Sequence, residues 1–329
     1  MIEAELGRCV AAWYPGATGV ANAVRLSGGA SQETWSFDIV HPDGNIGAIL
    51  RRAPAGYGAA PSRAAGLDAE ARLMQLAYDA GVPSPRVLHV LRPENDLGTG
   101  FVMGRVEGET IPRRILRDQQ FASARAVLAH QLGKVLAAIH GLDMVQLPKL
   151  RRMTAAEEIA ELERDYRSFD WPRPVFELAL RWLRDRDPGP PEQVTLVHGD
   201  FRHGNLIVGP EGLRAVLDWE LAHTGDPMED LGWVCVNSWR FGEIEKPVGG
   251  FGTREELFAG YEAAGRRVYP ERVTFWEVMG TLRWGVMCCG MMQRFRVSPE
   301  HSVERAMIGR RASETEIDLL RLLAPRGGV

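Results

Sequence analysis

Asp200, Asn205 and Asp218 are the residues of this 329-residue chain whose types and spacing suit chemistry. They fall in a stretch reading His198-Gly199-Asp200-Phe201-Arg202-His203-Gly204-Asn205-Leu206-Ile207-Val208, followed by Gly209-Pro210-Glu211-Gly212, a run from Leu213 to Leu217, and Asp218-Trp219-Glu220. The pattern is a loop and then a tight hairpin. Asn205 enters the first strand and Asp218 leaves the second, so the turn returns both side chains to one end. An amide oxygen and a carboxylate are hard ligands suited to Mg²⁺, which keeps water and substrate phosphate in its other positions. Asp200 lies close enough in the chain to accept a proton from a hydroxyl that attacks a metal-bound phosphate. Singly, an Asp after Gly is a turn former and a lone Asn is a cap; the joint spacing is what points to phosphoryl transfer. Glu220 either touches a second ion or caps the next turn. His198 and His203 have no third partner at zinc-like spacing and read as structural histidines.

These residues also carry a resemblance. His198-Gly199-Asp200 with Asn205, then Val216-Leu217-Asp218-Trp219-Glu220 and Gly225-Asp226-Pro227-Met228-Glu229-Asp230-Leu231, resemble the aminoglycoside phosphotransferase family, a branch of the protein-kinase-like fold. The branch most similar is the one whose domains also occur fused to acyl-CoA dehydrogenases. The tail, Ile308-Gly309-Arg310-Arg311 and Glu314 to Leu320, is similar to that branch too, so the resemblance covers nearly the whole chain. It implies an α+β, bilobal protein-kinase-like fold, with a small antiparallel-sheet N-lobe (residues 1–104) that binds nucleotide. A larger helical C-lobe (105–329) would carry the catalytic loop and the acceptor pocket. It further implies ATP and Mg²⁺ as cofactors, Asp200 as catalytic base, Asn205 and Asp218 as magnesium ligands, and Asp230 as a buried brace of the loop. Ser27, Gly28, Gly29 and Ser31 would lie over the nucleotide phosphates, where small residues let backbone N–H groups approach oxygens. Arg51 and Glu70 would form the strand-to-helix ion pair, and Met103 to Val106, with Met103 and Arg105, would lie beside the adenine. Arg202 either points at the transferred phosphate or pairs with a carboxylate at the surface.

Two departures bear on activity. Arg51 stands where this fold normally has a lysine; its fork binds phosphate bidentately with a different reach, a functional replacement or a mark of lost catalysis. Gly199 stands where protein kinases have an arginine that reads a phosphorylated activation loop, and no Ala-Pro-Glu element follows Asp218. Both features favour a small-molecule kinase over a protein kinase. A nucleotide-binding regulatory protein without catalysis is the alternative.

The elements needed to position these residues are legible as patterns. Short apolar or alternating runs over 23–26, 33–40 and 46–51 predict strands, with Pro42-Asp43-Gly44-Asn45 as a hairpin turn. A helix is expected over 67–80, stopping at Gly81, then strands near 86–91 and 100–106. Beyond Gly108 the periodicity becomes helical, with a helix marked by Val127 to Ile139 and ending near Gly141, and others expected over 155–168, 175–186, 254–264, 273–295 and 313–323. A strand-rich part gives way to a helical one.

Composition sets the outer bounds. With 45% hydrophobic and 25% charged residues the chain is an ordinary globular protein, neither disordered nor fibrous. A net charge of -4 provides no global field for nucleic acid or an anionic membrane, so neither is an expected partner. The acidic start Glu3 and Glu5, the absence of C-x-x-C among four cysteines, and Glu277 and Arg283 interrupting the most apolar stretch lead to the expectation of a cytoplasmic protein. Motifs of P-loop NTPases, serine hydrolases, zinc proteases and dinucleotide-binding enzymes are missing. The expected partner is a small-molecule hydroxyl acceptor, with no obligate protein partner evident. Acidic and basic residues nearly cancel between Leu150 and Glu192, the expected roof of the acceptor pocket. A neutral, acidic or hydroxyacyl compound therefore fits at least as well as a polycationic aminoglycoside.

Overall fold

Ile2, Leu6, Val10 and Trp13 recur at helical spacing and are buried along a first helix, which a strand-rich reading of this region does not contain. The computed structural model describes residues 2–26, 32–53, 63–297 and 302–324. The expected phosphate loop of Ser27, Gly28, Gly29 and Ser31 lies outside the described residues.

In chain order the elements are α1 (Ile2–Trp13), β1 (Gly19–Leu26), β2 (Glu33–Val40), β3 (Ile46–Ala53), α2 (Leu67–Asp79), β4 (Val87–Val90), β5 (Thr99–Gly104), α3 (Pro112–Arg117) and α4 (Ala122–Ile139). They continue with α5 (Ala155–Arg167), α6 (Pro174–Asp185), β6 (Thr195–Val197), β7 (Leu206–Gly209), β8 (Gly212–Val216), β9 (His223–Gly225), α7 (Met228–Trp233), α8 (Arg254–Ala263), α9 (Pro270–Val297), α10 (Val303–Gly309) and α11 (Ala312–Leu323). The chain divides into two compact units. One takes in the described residues up to Ala124 with Gly141–Arg151 and Asn205–His223; the other takes in Arg125–His140, Arg152–Gly204 and the described residues from Thr224 on.

The first unit is built on a five-stranded antiparallel sheet in the order β1-β2-β3-β5-β4. Alternation sorts its side chains. Phe37, Ile39, Ala48, Leu50 and Val102 form one core with Leu6, Val10 and Trp13 of α1. Arg51, next to Leu50, therefore faces the other way. Its face is shared by Ile49 with its partner Met103, and by Gly47 with its partner Asp38. β3 and β5 run so close at Gly100 that a Cβ there would meet the Arg51 carbonyl oxygen at 2.2 Å, which fixes the backbone beneath Arg51. On α2, Leu67, Glu70, Ala71, Met74 and Ala77 make one buried stripe, so Glu70 occupies a core-facing position.

The second unit is helical apart from β6 and β9. Reciprocal capping boxes start α5 (Thr154 with Glu157) and α8 (Thr253 with Glu256), satisfying two otherwise orphaned N–H groups at each start. α4 and α8 meet backbone to backbone. A Cβ on Gly133 would lie 2.0 Å from the Leu257 carbonyl oxygen, and one on Gly260 2.0 Å from that of His130. No flexible side chain is there to yield. Gly133→Ala should therefore lower the urea midpoint by an amount equivalent to about 1–3 kcal/mol, although alanine is the better helix former by about 1 kcal/mol. Among the described residues no helix is long and apolar enough to cross a membrane. All four cysteines are free thiols.

Candidate active site

The hairpin pairs Leu206 with Val216, and one step further the Leu217 N–H donates to the Asn205 carbonyl oxygen at 2.8 Å. Asn205 and the residue after Leu217, Asp218, therefore sit at one end of the hairpin, as the spacing predicts. Asp218 adopts the left-handed conformation, with φ 66° and ψ 66°, rare for a residue other than glycine and tolerated best by Asn and Asp. Strain of this kind is concentrated at functional positions.

Arg51 reaches the same end from β3. Its Nη1 donates to Glu70 Oε1 at 3.0 Å and its Nη2 to Asp218 Oδ1 at 2.9 Å and Glu220 Oε2 at 3.0 Å, while Nε donates to Gln32 Oε1 at 2.7 Å. The strand-to-helix ion pair expected of Arg51 and Glu70 is thus formed, and Glu220 joins it. Three carboxylates share one guanidinium, and the electrostatics follow from that surplus. Burial pushes the Glu70 carboxyl up to about 8; Arg51 opposes the shift, and Asp218 and Glu220 add to it. Burial alone would lower the Arg51 pKa, but Glu70, Asp218 and Glu220 outweigh it and hold the guanidinium above its ordinary value. A site with this excess of negative oxygen suits a divalent cation. Among the described residues no cluster of three or more His, Cys, Asp or Glu is placed to cage a metal, so an ion held by Asn205 and Asp218 would complete its shell with water or phosphate.

Met103 lies on the Arg51 face of the sheet, paired with Ile49. Arg105 reaches that face over Gly47, whose missing side chain leaves room for its guanidinium, and pairs with Asp38 at 3.0 Å and Glu107 at 3.1 Å. The structure therefore pairs Arg105 with Asp38 on β2 and with Glu107 just beyond β5, and sets it over Gly47, four positions before Arg51 on β3.

In the second unit Asp230, fully buried, accepts the N–H groups of His198 at 2.8 Å and Gly199 at 3.0 Å and contacts His140 Nε2 at 3.1 Å. It braces the backbone on which Asp200 stands. Arg202 turns back on that loop, its Nε donating to Asp200 Oδ1 at 2.9 Å and Oδ2 at 3.1 Å, with its guanidinium over the Trp239 ring. Of the two sequence readings of Arg202, the carboxylate pairing is the one present, and the carboxylate is Asp200. His203 Nδ1 donates to the Gly249 carbonyl oxygen at 2.7 Å, and burial pushes the pKa of the ring down to about 4, so it is a neutral donor there. It is a structural histidine, as expected. His140 and Trp233 are the site residues that sequence reasoning passes over. Trp233 follows Asp230 by one helical turn, and its indole N–H donates to Asp200 Oδ1 at 2.9 Å.

The acidic residues of α5 and α6 are largely spoken for. Glu163 pairs with Arg167 and Arg184, Glu177 with Arg167, and buried Glu158 with Arg283.

A model of the phosphotransferase enzyme family matches residues 22–268. Acyl-CoA dehydrogenase family member 10 of Mus musculus is 30% identical over 230 residues, 67% of this chain and 20% of the relative. Family member 11 of Gallus gallus is 28% identical over 248 residues, 71% of this chain and 30% of the relative. The chain thus spans less than a third of the length of these relatives. Among solved structures, one from Ralstonia eutropha, itself only provisionally assigned as an aminoglycoside phosphotransferase, superposes with a TM-score of 0.75 at 21% identity, covering 97% of both chains. A ternary complex of aminoglycoside phosphotransferase APH(4)-Ia with AMP-PNP and hygromycin B gives 0.65 at 18% identity over 98% of both. These likenesses establish the kinase-like α+β fold.

Proposed function

Because the chain belongs to the phosphotransferase enzyme family, we propose that it transfers the γ-phosphate of ATP to a hydroxyl of a small molecule. The observation that carries the proposal is the Arg51 cluster, which ties β3, the α2 carboxylate Glu70 and the hairpin carboxylate Asp218 together within 3.0 Å. In this reading Arg51 holds nucleotide phosphate, Glu70 orients Arg51, and Met103 and Arg105 flank the adenine on the same sheet face. Ser27, Gly28, Gly29 and Ser31 supply backbone N–H groups to the phosphates. Asn205 and Asp218 hold Mg²⁺, which supplies charge neutralisation to the phosphates when bound. Asp200 accepts the proton of the attacking hydroxyl, and Arg202 exchanges that carboxylate for the transferred phosphate.

For the acceptor, the mutual pairing of the α5 and α6 charges leaves little surplus acidity for a polycation. A neutral or acidic hydroxyl compound, including one bearing an acyl group, is the better match, and the names of the curated relatives point the same way. The second reading, a nucleotide-binding protein without catalysis, rests on the guanidinium of Arg51 in the lysine's place.

The test is a calorimetric titration with ATP, with and without Mg²⁺, repeated on Asp218→Ala. Metal-dependent binding that weakens at least about tenfold in the variant is the expected result. Binding indifferent to both metal and substitution would remove Asp218 from the site, and no binding at all would remove ATP as donor.

A further inference from the structure

Resting on the phosphotransferase reading, we infer that Trp233 is a positioning residue that holds in place the carboxylate of Asp200, the base. Its indole N–H donates to Asp200 Oδ1 at 2.9 Å from a side chain only 3% exposed. Indole is a donor and cannot accept, so this bond has one polarity and turns one carboxylate oxygen toward α7. Oδ1 also takes the Arg202 Nε–H at 2.9 Å. The same Nε–H also reaches Oδ2 at 3.1 Å, so Arg202 bridges both oxygens while the indole N–H holds the carboxylate by Oδ1.

The ring has no room to swing. The Arg283 guanidinium lies over it at 5.4 Å from its centroid, with Arg283 itself held by Glu229 at 2.8 Å. The Trp239 ring packs at 5.2 Å. At Gly280 the α9 backbone comes so close that a Cβ would stand 2.7 Å from Trp233 Cε3. Asp230, one turn earlier on α7, holds the backbone N–H groups of His198 and Gly199. A single turn of helix therefore fixes both the main chain of the loop and the carboxylate it presents. When Arg202 leaves Asp200 for the phosphate, the Trp233 bond stays. In the transfer itself the acceptor oxygen bonds to the γ-phosphorus, the bridging oxygen leaves on ADP with the electron pair, and the hydroxyl proton passes to the Asp200 carboxylate.

Trp233→Phe keeps an aromatic ring and deletes the N–H. The rate of phosphate release from MgATP, with water as the acceptor, should fall roughly ten- to a hundredfold, the loss expected for a hydrogen bond to a charged group, with KM for MgATP unchanged. A variant that folds and releases phosphate at the wild-type rate would overturn the inference, as would a loss carried in KM alone. The second readout needs no turnover. Among the nine indole N–H signals of the ¹⁵N-labelled protein, the one missing in Trp233→Phe should move upfield in Asp200→Asn, because an amide oxygen is a weaker acceptor than a carboxylate. An unmoved signal denies the bond. If the wild type itself releases no phosphate, the phosphotransferase reading fails on that result, and the indole signal decides the positioning by itself.

Discussion

Asp200→Asn is expected to release phosphate from MgATP about 10²–10⁴-fold more slowly than wild type while binding the nucleotide equally well. The amide is nearly isosteric and still accepts hydrogen bonds from Trp233 and Arg202, both of which now meet the Asp200 carboxylate at 2.9 Å. It cannot accept a proton, so the loss falls on the chemical step. Steady-state kinetics separate the outcomes. A fall in kcat with calorimetric affinity preserved assigns the base. Weakened ATP binding would mean that Asp200 acts through the nucleotide site, and a wild-type rate would remove it from the chemistry.

Local patterns carried most of the fold and much of the site. The hairpin that returns Asn205 and Asp218 to one end needs only the turn Gly209 to Gly212 and two short apolar runs, and all three are contiguous in the chain. The strand-to-helix pairing of Arg51 and Glu70 was legible only through the family resemblance, because a helical Glu is ordinarily solvated; the burial of this one depends on α2 packing over the sheet. The first helix was legible and was passed over: Ile2, Leu6, Val10 and Trp13 recur one turn apart, with Glu3, Glu5 and Gly7 between them, and the strand runs that follow dominated the reading of the region. Partners fixed by tertiary register were beyond any local signal. Arg105 finds Asp38 because β2 pairs with β3 opposite Gly47, and Trp233 finds Asp200 because α7 packs on the loop. The six-residue α7, preceded by Pro227, is also too short for periodicity to announce. Arg202 could be read two ways because the sequence does not say which carboxylate the folded loop sets beside its guanidinium; it is Asp200, two residues back.

Restoring the lysine, Arg51→Lys, is expected to lower kcat/KM for MgATP at least about a hundredfold in a protein that still folds. The guanidinium serves four acceptors from three nitrogens: Gln32 at 2.7 Å, Glu70 at 3.0 Å, Asp218 at 2.9 Å and Glu220 at 3.0 Å. An ammonium is a point charge on a differently shaped stem and cannot span the helix carboxylate of Glu70, the hairpin carboxylate of Asp218 and the Gln32 amide together. The Glu220 contact counts for little, because that side chain is 38% exposed and its pairing is screened. Glu70, 2% exposed, and Asp218, 29% exposed, decide the size of the effect. A hydrogen bond to a charged group contributes about 1.5–3 kcal/mol, so losing one of these together with the Gln32 contact amounts to about two orders of magnitude. The lysine also leaves Glu70 and Asp218 nearer to mutual repulsion, which Mg²⁺ should relieve, so the deficit is expected to shrink as Mg²⁺ is raised. The opposite outcome is equally informative. A gain in turnover on restoring lysine would mean that Arg51 had disabled an ancestral kinase site, and the natural protein would then be the nucleotide-binding, non-catalytic alternative. The four acceptors already arranged around the fork argue that this site was built for arginine.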